Sequence, residues 1–284
     1  MIPELLEYGF LRRALVGCLA LSVSAPPLGV FLMLRRMSLA GDALSHGLLP
    51  GVALAFVLFG LSVPALALGG LLAGLVIALG AGALARGTGG REDASLAALY
   101  LTALAAGVAI ISWRGSAVEL TQLLFGSVLG VDDAALLLMA GAASLTLSFL
   151  AFAWRPLVLE CFDPAFARAV GLRGSLWHLG FLALVVVNMV AALQAVGSLM
   201  AVGLMMLPAI AARHWARGIG GVVTVSVVLA LLASLSGLLA SALMDLPSGP
   251  AIVLAAAALW LLSALLGPVD GVVARLRPRR HLSG

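Results

Sequence analysis

The sequence predicts an all-α, polytopic membrane protein, a bundle of helices that crosses the bilayer about eight or nine times. Of its 284 residues, 63% are hydrophobic and only 10% are charged, 16 of them basic and 12 acidic. Soluble domains usually contain about 25% charged residues, so these charges are too few to cover a water-soluble globule. Hydrophobicity on this scale also excludes a disordered chain. No polar stretch is long enough for a second domain, and residues 1–284 are predicted to form a single transmembrane domain.

Nine apolar segments account for the predicted spans. Each is continuous, whereas the strands of a membrane barrel would alternate apolar and polar residues. In the third segment, Gly70 and Gly74 stand four apart in GGLLAG, which indicates either close helix contact in lipid or simply a composition rich in Gly and Ala. The nine segments are residues 14–34, 39–61, 63–85, 95–113, 134–153, 176–193, 196–212, 219–243 and 251–266.

The distribution of arginine predicts the orientation of the spans. Thirteen of the 16 arginines fall in alternate loops or in a basic tail at residues 268–284. Because basic residues accumulate in cytoplasmic loops, we expect these loops and the C-terminus to be cytoplasmic. The opposite loops carry the acidic residues Glu119, Asp132, Asp133 and Asp245.

The same rule conflicts with the span count at the N-terminus. Nine spans with a cytoplasmic C-terminus place the N-terminus outside, beside Arg12 and Arg13. Either one segment is re-entrant or incomplete, or residues 1–13 form an interfacial helix. Residues 119–133 are too polar and too short for a span, and we expect them to lie at the outer surface or to re-enter the membrane.

The longest loop predicted to be cytoplasmic, residues 154–177, contains a helix of its own. Asp163 followed by Pro164 is a helix start, with aspartate as N-cap and proline in the first turn. Gly171 is a typical stop, so a short helix is predicted from Pro164 to Val170. A simple connection needs fewer residues. The loop is therefore either a docking surface or an ordinary interfacial helix.

Asp42 and His46 stand out because they lie inside the second apolar segment. Residues four apart on a helix share one face. If residues 36–61 form one helix, His46 lies near the bilayer midplane and Asp42 lies one turn closer to the cytoplasm. An aspartate at that depth costs about 2.5–3.5 kcal/mol on insertion scales, and such residues usually face a bundle interior or an aqueous path.

Three roles fit this pair. A carboxylate and an imidazole can bind a divalent transition metal. Two ligands are too few for a closed cage but suit a site that an ion enters and leaves. The pair can also relay protons, or form a buried hydrogen bond that holds helices together.

Four other side chains are predicted to have structural roles. His178, beside Trp177, is expected to anchor a span at the membrane interface. Asn188 is interpreted as a hydrogen-bonding contact between helices rather than as part of a path. Cys18 and Cys161 belong to no CxxC metal motif and indicate no disulfide.

The sequence also limits the classes of function. It contains no GxxxxGK[ST] motif, so the chain itself is expected neither to bind ATP in the usual way nor to be an enzyme. Its scattered arginines form no patch for nucleic acid. Prolines interrupt the apolar segments, as is common where transporter helices line a cavity. These features allow a secondary transporter or a channel, either of which would work without an ATPase.

Five blocks of the sequence resemble the ABC-3 family, the permease subunits of zinc- and manganese-importing ABC transporters. GDALSHGLLPGVALAF at residues 41–56 resembles the signature of the family's second span, and DPAFARAVGL at residues 163–172 resembles its cytoplasmic loop. Together the blocks follow the family's order over about residues 10–270. The other three are QLLFGSVLGV (122–131), VGSLMAVGLMMLPAIAAR (196–213) and DLPSGPAIVL (245–254).

The resemblance implies a type II importer permease with about eight spans, related to the cobalamin and siderophore permeases. It implies a homodimer served by two cytoplasmic ATP-binding subunits and an external metal-binding receptor. Asp42 and His46 fall on the family's metal path. The transported ion is either Zn²⁺ or Mn²⁺, and a siderophore or cobalamin permease is a further alternative. The residues that fall on the family's ATPase-coupling helix are Asp163, Pro164, Ala167, Ala169 and Gly171.

Overall fold

The computed structural model describes residues 9–60, 62–114, 132–244 and 246–276, and all regular structure in these ranges is helical. Lipid offers the backbone no hydrogen-bonding partner, so each N–H must find its acceptor within its own segment. The twelve helices are α1 (Gly9–Leu34), α2 (Ala40–Gly47), α3 (Leu49–Phe59), α4 (Val63–Thr88), α5 (Glu92–Arg114), α6 (Asp133–Phe162), α7 (Pro164–Ala169), α8 (Gly174–Val196), α9 (Ser198–Ala212), α10 (Ile219–Met244), α11 (Ser248–Leu266) and α12 (Val272–Leu276).

Eight stretches of the described chain are long and apolar enough to cross a membrane. Seven are single helices, and the eighth, Ala40–Phe59, combines α2 and α3. The predicted all-α bundle of eight or nine spans is confirmed. The remaining apolar segment, expected at residues 196–212, forms α9, whose 15 residues extend only about 22 Å. It is shorter than the other eight and falls below the length of a full span.

Contacts at the helix ends show how the spans run. At one end of the bundle, Arg13 of α1 pairs with Asp133 of α6, with Nε 3.1 Å from Oδ1. At the other end, Arg213, directly after α9, contacts the Met33 sulfur near the end of α1 at 3.9 Å. The arginine-bearing turns after α1 and α9 therefore share one end, and α1 begins at the opposite end.

Two segments whose course the sequence left open lie partly outside the described residues. Residues 9–13, for which an interfacial helix was one alternative, belong to α1. Residues 1–8 and 115–131 are not among the described residues, so the outer segment expected at residues 119–133 is seen only at its last two positions, where α6 is capped and begins.

The central helix of the bundle is α8. Its Phe181, Val185 and Met189 are almost completely buried, and it packs against α1, α4, α6 and α9. Asn188, also buried, donates a hydrogen bond from Nδ2 to Thr146 Oγ1 on α6 at 2.6 Å. The interhelical role predicted for Asn188 is confirmed.

α3 and α4 cross in backbone contact. A Cβ placed on Gly51 would lie 2.0 Å from the Gly69 carbonyl oxygen, and one on Gly69 would lie 2.3 Å from that of Gly51. At Gly70 and Gly74 a Cβ would meet side chains of the second span at 3.1 and 2.5 Å. The close helix contact that GGLLAG indicated is therefore present, and only glycine permits it.

We expect Gly51→Ala to lower the Tm of the detergent-solubilised protein, because the added methyl must push α3 from α4. Overpacking of this kind typically costs about 1–3 kcal/mol. The matched control is Gly141→Ala in α6, where a Cβ meets nothing within 4 Å. It should leave the Tm unchanged or slightly raised. Thermal unfolding followed by tryptophan fluorescence measures both Tm values. Equal Tm values for the two variants would contradict the close backbone contact between α3 and α4.

Candidate functional site

A tight turn between α1 and α2 positions the candidate metal-binding residues. Arg36 adopts a left-handed backbone conformation with φ of 60°. The N–H groups of Arg36 and Met37 donate to the carbonyls of Met33 and Leu32 at 3.1 and 2.9 Å. This closure satisfies carbonyls at the end of α1. Because α2 begins at Ala40, Asp42 lies in the first turn of a new helix.

The single helix expected over residues 36–61 is instead two helices, α2 and α3, joined at Leu48. Pro50 has no N–H to donate to the carbonyl of His46, four residues earlier. The series of helical backbone hydrogen bonds is therefore interrupted there. The chain keeps its direction, since Leu48 retains a helical φ of −71° and its N–H bonds to the Leu44 carbonyl at 3.1 Å. His46 lies about 5 Å from the middle of Ala40–Phe59.

Asp42 and His46 share one face of α2. Nε2 of His46 lies 3.6 Å from Oδ1 of Asp42, and 35% and 55% of the two side chains are exposed. The separation exceeds a hydrogen bond, and both residues lie on one helix, so the pair does not tie two helices together. His46 Nδ1 is buried and has no hydrogen-bond partner among the described residues. The Ser45 hydroxyl donates to the Asp42 carbonyl instead of joining the pair.

The opposite face of α2 is tightly packed. Leu44 is fully buried. A Cβ on Gly41 would lie 2.7 Å from Met205 Cε of α9, and one on Gly47 would lie 2.9 Å from Ile77 Cδ1 of α4. These contacts fix the rotation of α2 and hold the face with Asp42 and His46 outward.

Asp42 opens onto a cavity of about 380 Å³ between α2 and α5. One wall is formed by the turn and the start of α2, between residues 36 and 43, and the other by the first turns of α5, between residues 93 and 100. The cavity lies at the end of the bundle that carries the arginine-bearing turn after α1. Asp42 is therefore accessible from a cavity at that end.

The pair can coordinate a metal ion but cannot enclose it. Two ligand atoms at about 2.1 Å from one ion lie about 3.0–3.6 Å apart, which is compatible with the 3.6 Å between His46 and Asp42. In the part of the chain that the structure describes, no three His, Cys, Asp or Glu side chains form a metal-binding group. Such an incomplete site suits passage of an ion rather than permanent storage.

The helix predicted after Asp163 is present as α7. Asp163 Oδ1 accepts a hydrogen bond from the Phe166 N–H at 2.9 Å, and Gly171 follows with φ of 77°. The predicted start and stop are confirmed. The helix is one residue shorter than expected, because Val170 is its C-cap.

α7 has a buried side and an exposed apolar side. α7 contacts α6 and α8; its Ala167 is 1% exposed, whereas Ala169 is exposed. Phe166 and the C-cap residue Val170, four residues apart, are each 53% exposed, and Phe162 at the end of α6 is 65% exposed. An apolar stripe beyond the end of a span is typical of a surface for a protein partner.

His178 is not the interfacial anchor that its place beside Trp177 indicated. It is buried, its Nε2 lies 2.7 Å from Glu92 Oε1, and its Nδ1 is hydrogen-bonded to Arg35 Nη1. The contact joins the end of α1 to the starts of α5 and α8. Sequence reasoning missed it because partners 143 and 86 positions away share no local pattern with His178.

Two solved structures match this fold. PsaBC from Streptococcus pneumoniae in complex with Fab matches with a TM-score of 0.83 at 30% identity, over 95% of this chain and 98% of that chain. A metal-chelate type ABC transporter in an inward-facing conformation matches with a TM-score of 0.67 at 17% identity, over 88% and 84% of the two chains. The fold is therefore that of the membrane-spanning permeases of ABC transporters.

The chain belongs to the ABC 3 transport family, whose pattern matches residues 7–267. A relative is the manganese transport system membrane protein MntC of Halalkalibacterium halodurans. It is 32% identical over 273 residues, which cover 96% of this chain and 92% of the relative. The family resemblance of the sequence blocks is confirmed.

We expect Asp42→Cys to react quickly with a water-soluble maleimide in membranes, because this position opens onto the cavity and only a thiolate formed in water reacts. Leu44→Cys, two residues away and fully buried, should react at least about tenfold more slowly. Both variants are made with Cys18 and Cys161 replaced by alanine. Mass spectrometry measures the labelled fraction over time, and equal rates would mean that the face with Asp42 is not selectively hydrated.

Proposed function

We propose that this chain is the membrane-spanning permease subunit of an ATP-driven importer of divalent metal ions, and that manganese is the ion it carries. The family match over residues 7–267 supports the class, and the relative from a manganese transport system supports the metal. Within the chain, the proposal rests on one observation. Asp42 and His46 share one face of a broken span and leave coordination positions open.

Asp42 and His46 are proposed as transient ligands of the ion. Manganese accepts carboxylate oxygen and imidazole nitrogen, whereas thiolate would favour zinc. Cys18 is buried within α1 and Cys161 lies near the end of α6, so neither cysteine belongs to the pair on α2. The ligand chemistry still admits zinc, and the relative is what favours manganese.

A second copy of the chain is proposed to complete the site. One protomer offers two ligands, fewer than the four of a tetrahedral zinc site or the six of an octahedral manganese site. More than half of the Asp42 side chain is exposed, so the pair can face its equivalent across a two-fold axis, the commonest symmetry of oligomers. Two half-sites can hold an ion between them and release it when the halves separate.

ATP hydrolysis is proposed to occur in two cytoplasmic subunits that dock on α7, so this chain is not itself an enzyme. Its sequence lacks the phosphate-binding loop that hydrolysis needs. The coupling segment is Asp163–Gly171. Phe162, Phe166 and Val170 form the apolar contact surface, while Ala167 fastens α7 to the bundle.

The arginine-rich end is proposed to face the cytoplasm of a bacterial inner membrane, together with the basic tail at residues 268–284. The metal receptor then meets the opposite end, where Asp132 and Asp133 begin α6. Asp133 is paired there with Arg13, and the exposed Asp132 is proposed to attract cations before they enter the path.

A permease for a metal chelate is the second candidate, because a metal-chelate type transporter shares the fold. A chelated ion already has its ligands and would not use the 3.6 Å pair of Asp42 and His46. Competition between free Mn²⁺ and a siderophore complex in an uptake assay separates the two candidates. Uptake that continues without the ATPase would instead indicate a secondary transporter or channel.

We expect the double substitution Asp42→Ala with His46→Ala to reduce Mn²⁺ uptake at least about tenfold, since even one lost interaction with a charged group is worth about 1.5–3 kcal/mol. Uptake into proteoliposomes containing the assembled permease and ATPase measures this. Asp270→Ala, an exposed acid outside the path, should retain uptake. Full uptake by the double variant would refute the metal-binding role of the pair.

We expect Phe166→Glu and Ala169→Glu to weaken assembly with the ATPase, because each places a charge on the exposed apolar side of α7. Gly87→Glu is the control, since it adds the same charge at an open position near the end of α4. Co-purification from membranes should recover several-fold less ATPase with the two α7 variants than with the control. Equal recovery would exclude α7 as the docking site.

A further inference from the structure

One histidine holds the starting points of both walls of the cavity beside Asp42. Arg35, which is hydrogen-bonded to His178 Nδ1, directly precedes the wall formed between residues 36 and 43. Glu92, 2.7 Å from His178 Nε2, directly precedes the wall formed between residues 93 and 100. A single imidazole therefore fixes the distance between the two walls of the cavity.

The chain of hydrogen bonds Arg35–His178–Glu92 forms a bridge, and its partners determine which nitrogen of His178 carries the proton. A guanidinium can only donate, so Nδ1 of His178 is the acceptor and Nε2 carries the proton that Glu92 accepts. His178 is thus a neutral link between a cation and an anion. The His178 and Glu92 side chains are only 10% and 25% exposed, so water competes weakly for their hydrogen bond.

A short connector attaches this bridge to α7. The N–H groups of Gly171 and Leu172 donate to the carbonyls of Arg168 and Ala167, both at 3.0 Å. The connector therefore folds back on α7 and leads into α8 at Gly174. His178 lies about one turn further along. Only residues 170–173 separate α7 from α8, so we expect a displacement of α7 to move the start of α8, where His178 lies.

Arg35 is held in place by packing as much as by hydrogen bonds. Its guanidinium carbon lies 5.3 Å from the centroid of the buried Phe181 ring of α8. Its Nε and Nη2 are buried, and the thiol of Cys161 near the end of α6 is close enough to interact with the guanidinium.

We propose that His178 is the positioning residue that transmits movement of α7 to the two walls of the Asp42 cavity, and so controls the ion's route at that end. This inference rests on the proposed function of α7 as the coupling helix. Asp42 and His46 bind the ion, whereas His178 sets the separation of the walls and does not touch the ion.

The test measures Mn²⁺ uptake and ATP hydrolysis together in proteoliposomes that contain the full permease–ATPase complex. His178→Ala removes both hydrogen bonds of the bridge. Uptake per ATP hydrolysed should fall at least about tenfold, the factor expected for a lost hydrogen bond to a charged group. The apparent KM for Mn²⁺ should stay within about twofold, because the ligand pair is intact.

Two milder variants keep the test decisive if His178→Ala fails to assemble. In His178→Asn, the shorter amide can accept from Arg35 but cannot reach Glu92, so coupling should fall as in His178→Ala. Glu92→Gln keeps an acceptor oxygen of the same size and should retain most of the coupling. Arg13→Gln breaks an ion pair at the opposite end of the bundle and should leave the coupling unchanged.

Wild-type coupling in His178→Asn would overturn the inference. It would also be overturned if uptake and ATP hydrolysis fell in parallel in His178→Asn, since that would indicate a structural role alone. An absence of ATP-driven Mn²⁺ uptake by the wild-type complex would instead refute the proposed function.

Discussion

Lipid neither hydrogen-bonds the backbone nor hydrates a charge, and the architecture of this chain depends on both facts. The first makes every described regular element a helix. The second places most arginines in the turns at one end of the bundle. Asp42 and His46 depart from this arrangement, since they lie within a span and yet remain partly exposed. The proposed passage of an ion gives a reason for this energetic cost.

The broken second span persists because neighbouring backbone closes around the break. Pro50 removes one backbone hydrogen bond of the helix. At this point α5 approaches so closely that a Cβ on Gly107 would lie 3.0 Å from the Pro50 nitrogen, and Gly51 meets Gly69 of α4 directly. Interrupted helices are tolerated in membranes when protein rather than lipid surrounds them. The close glycine contacts thus stabilise the break after α2, the helix that carries Asp42 and His46.

Features governed by local rules could be read from the sequence, and features governed by contacts between distant segments could not. Hydropathy located the spans, a capping aspartate and a glycine located α7, and i, i+4 spacing paired Asp42 with His46. Hydropathy alone did not reveal that α9 is short. It also did not separate an interfacial histidine from a buried one, because the partners of His178 come from two other helices.

The short helix α9 has a consequence for how two copies of the chain can be combined. By returning the chain to the arginine-rich end, it gives the bundle an odd number of passes, so α1 begins at the end opposite to that where α11 finishes. Two copies related by a two-fold axis along the membrane normal must share one orientation. A head-to-tail fusion through a short linker would insert the second copy upside down, so a tandem version of this permease requires an additional membrane-crossing helix between the copies.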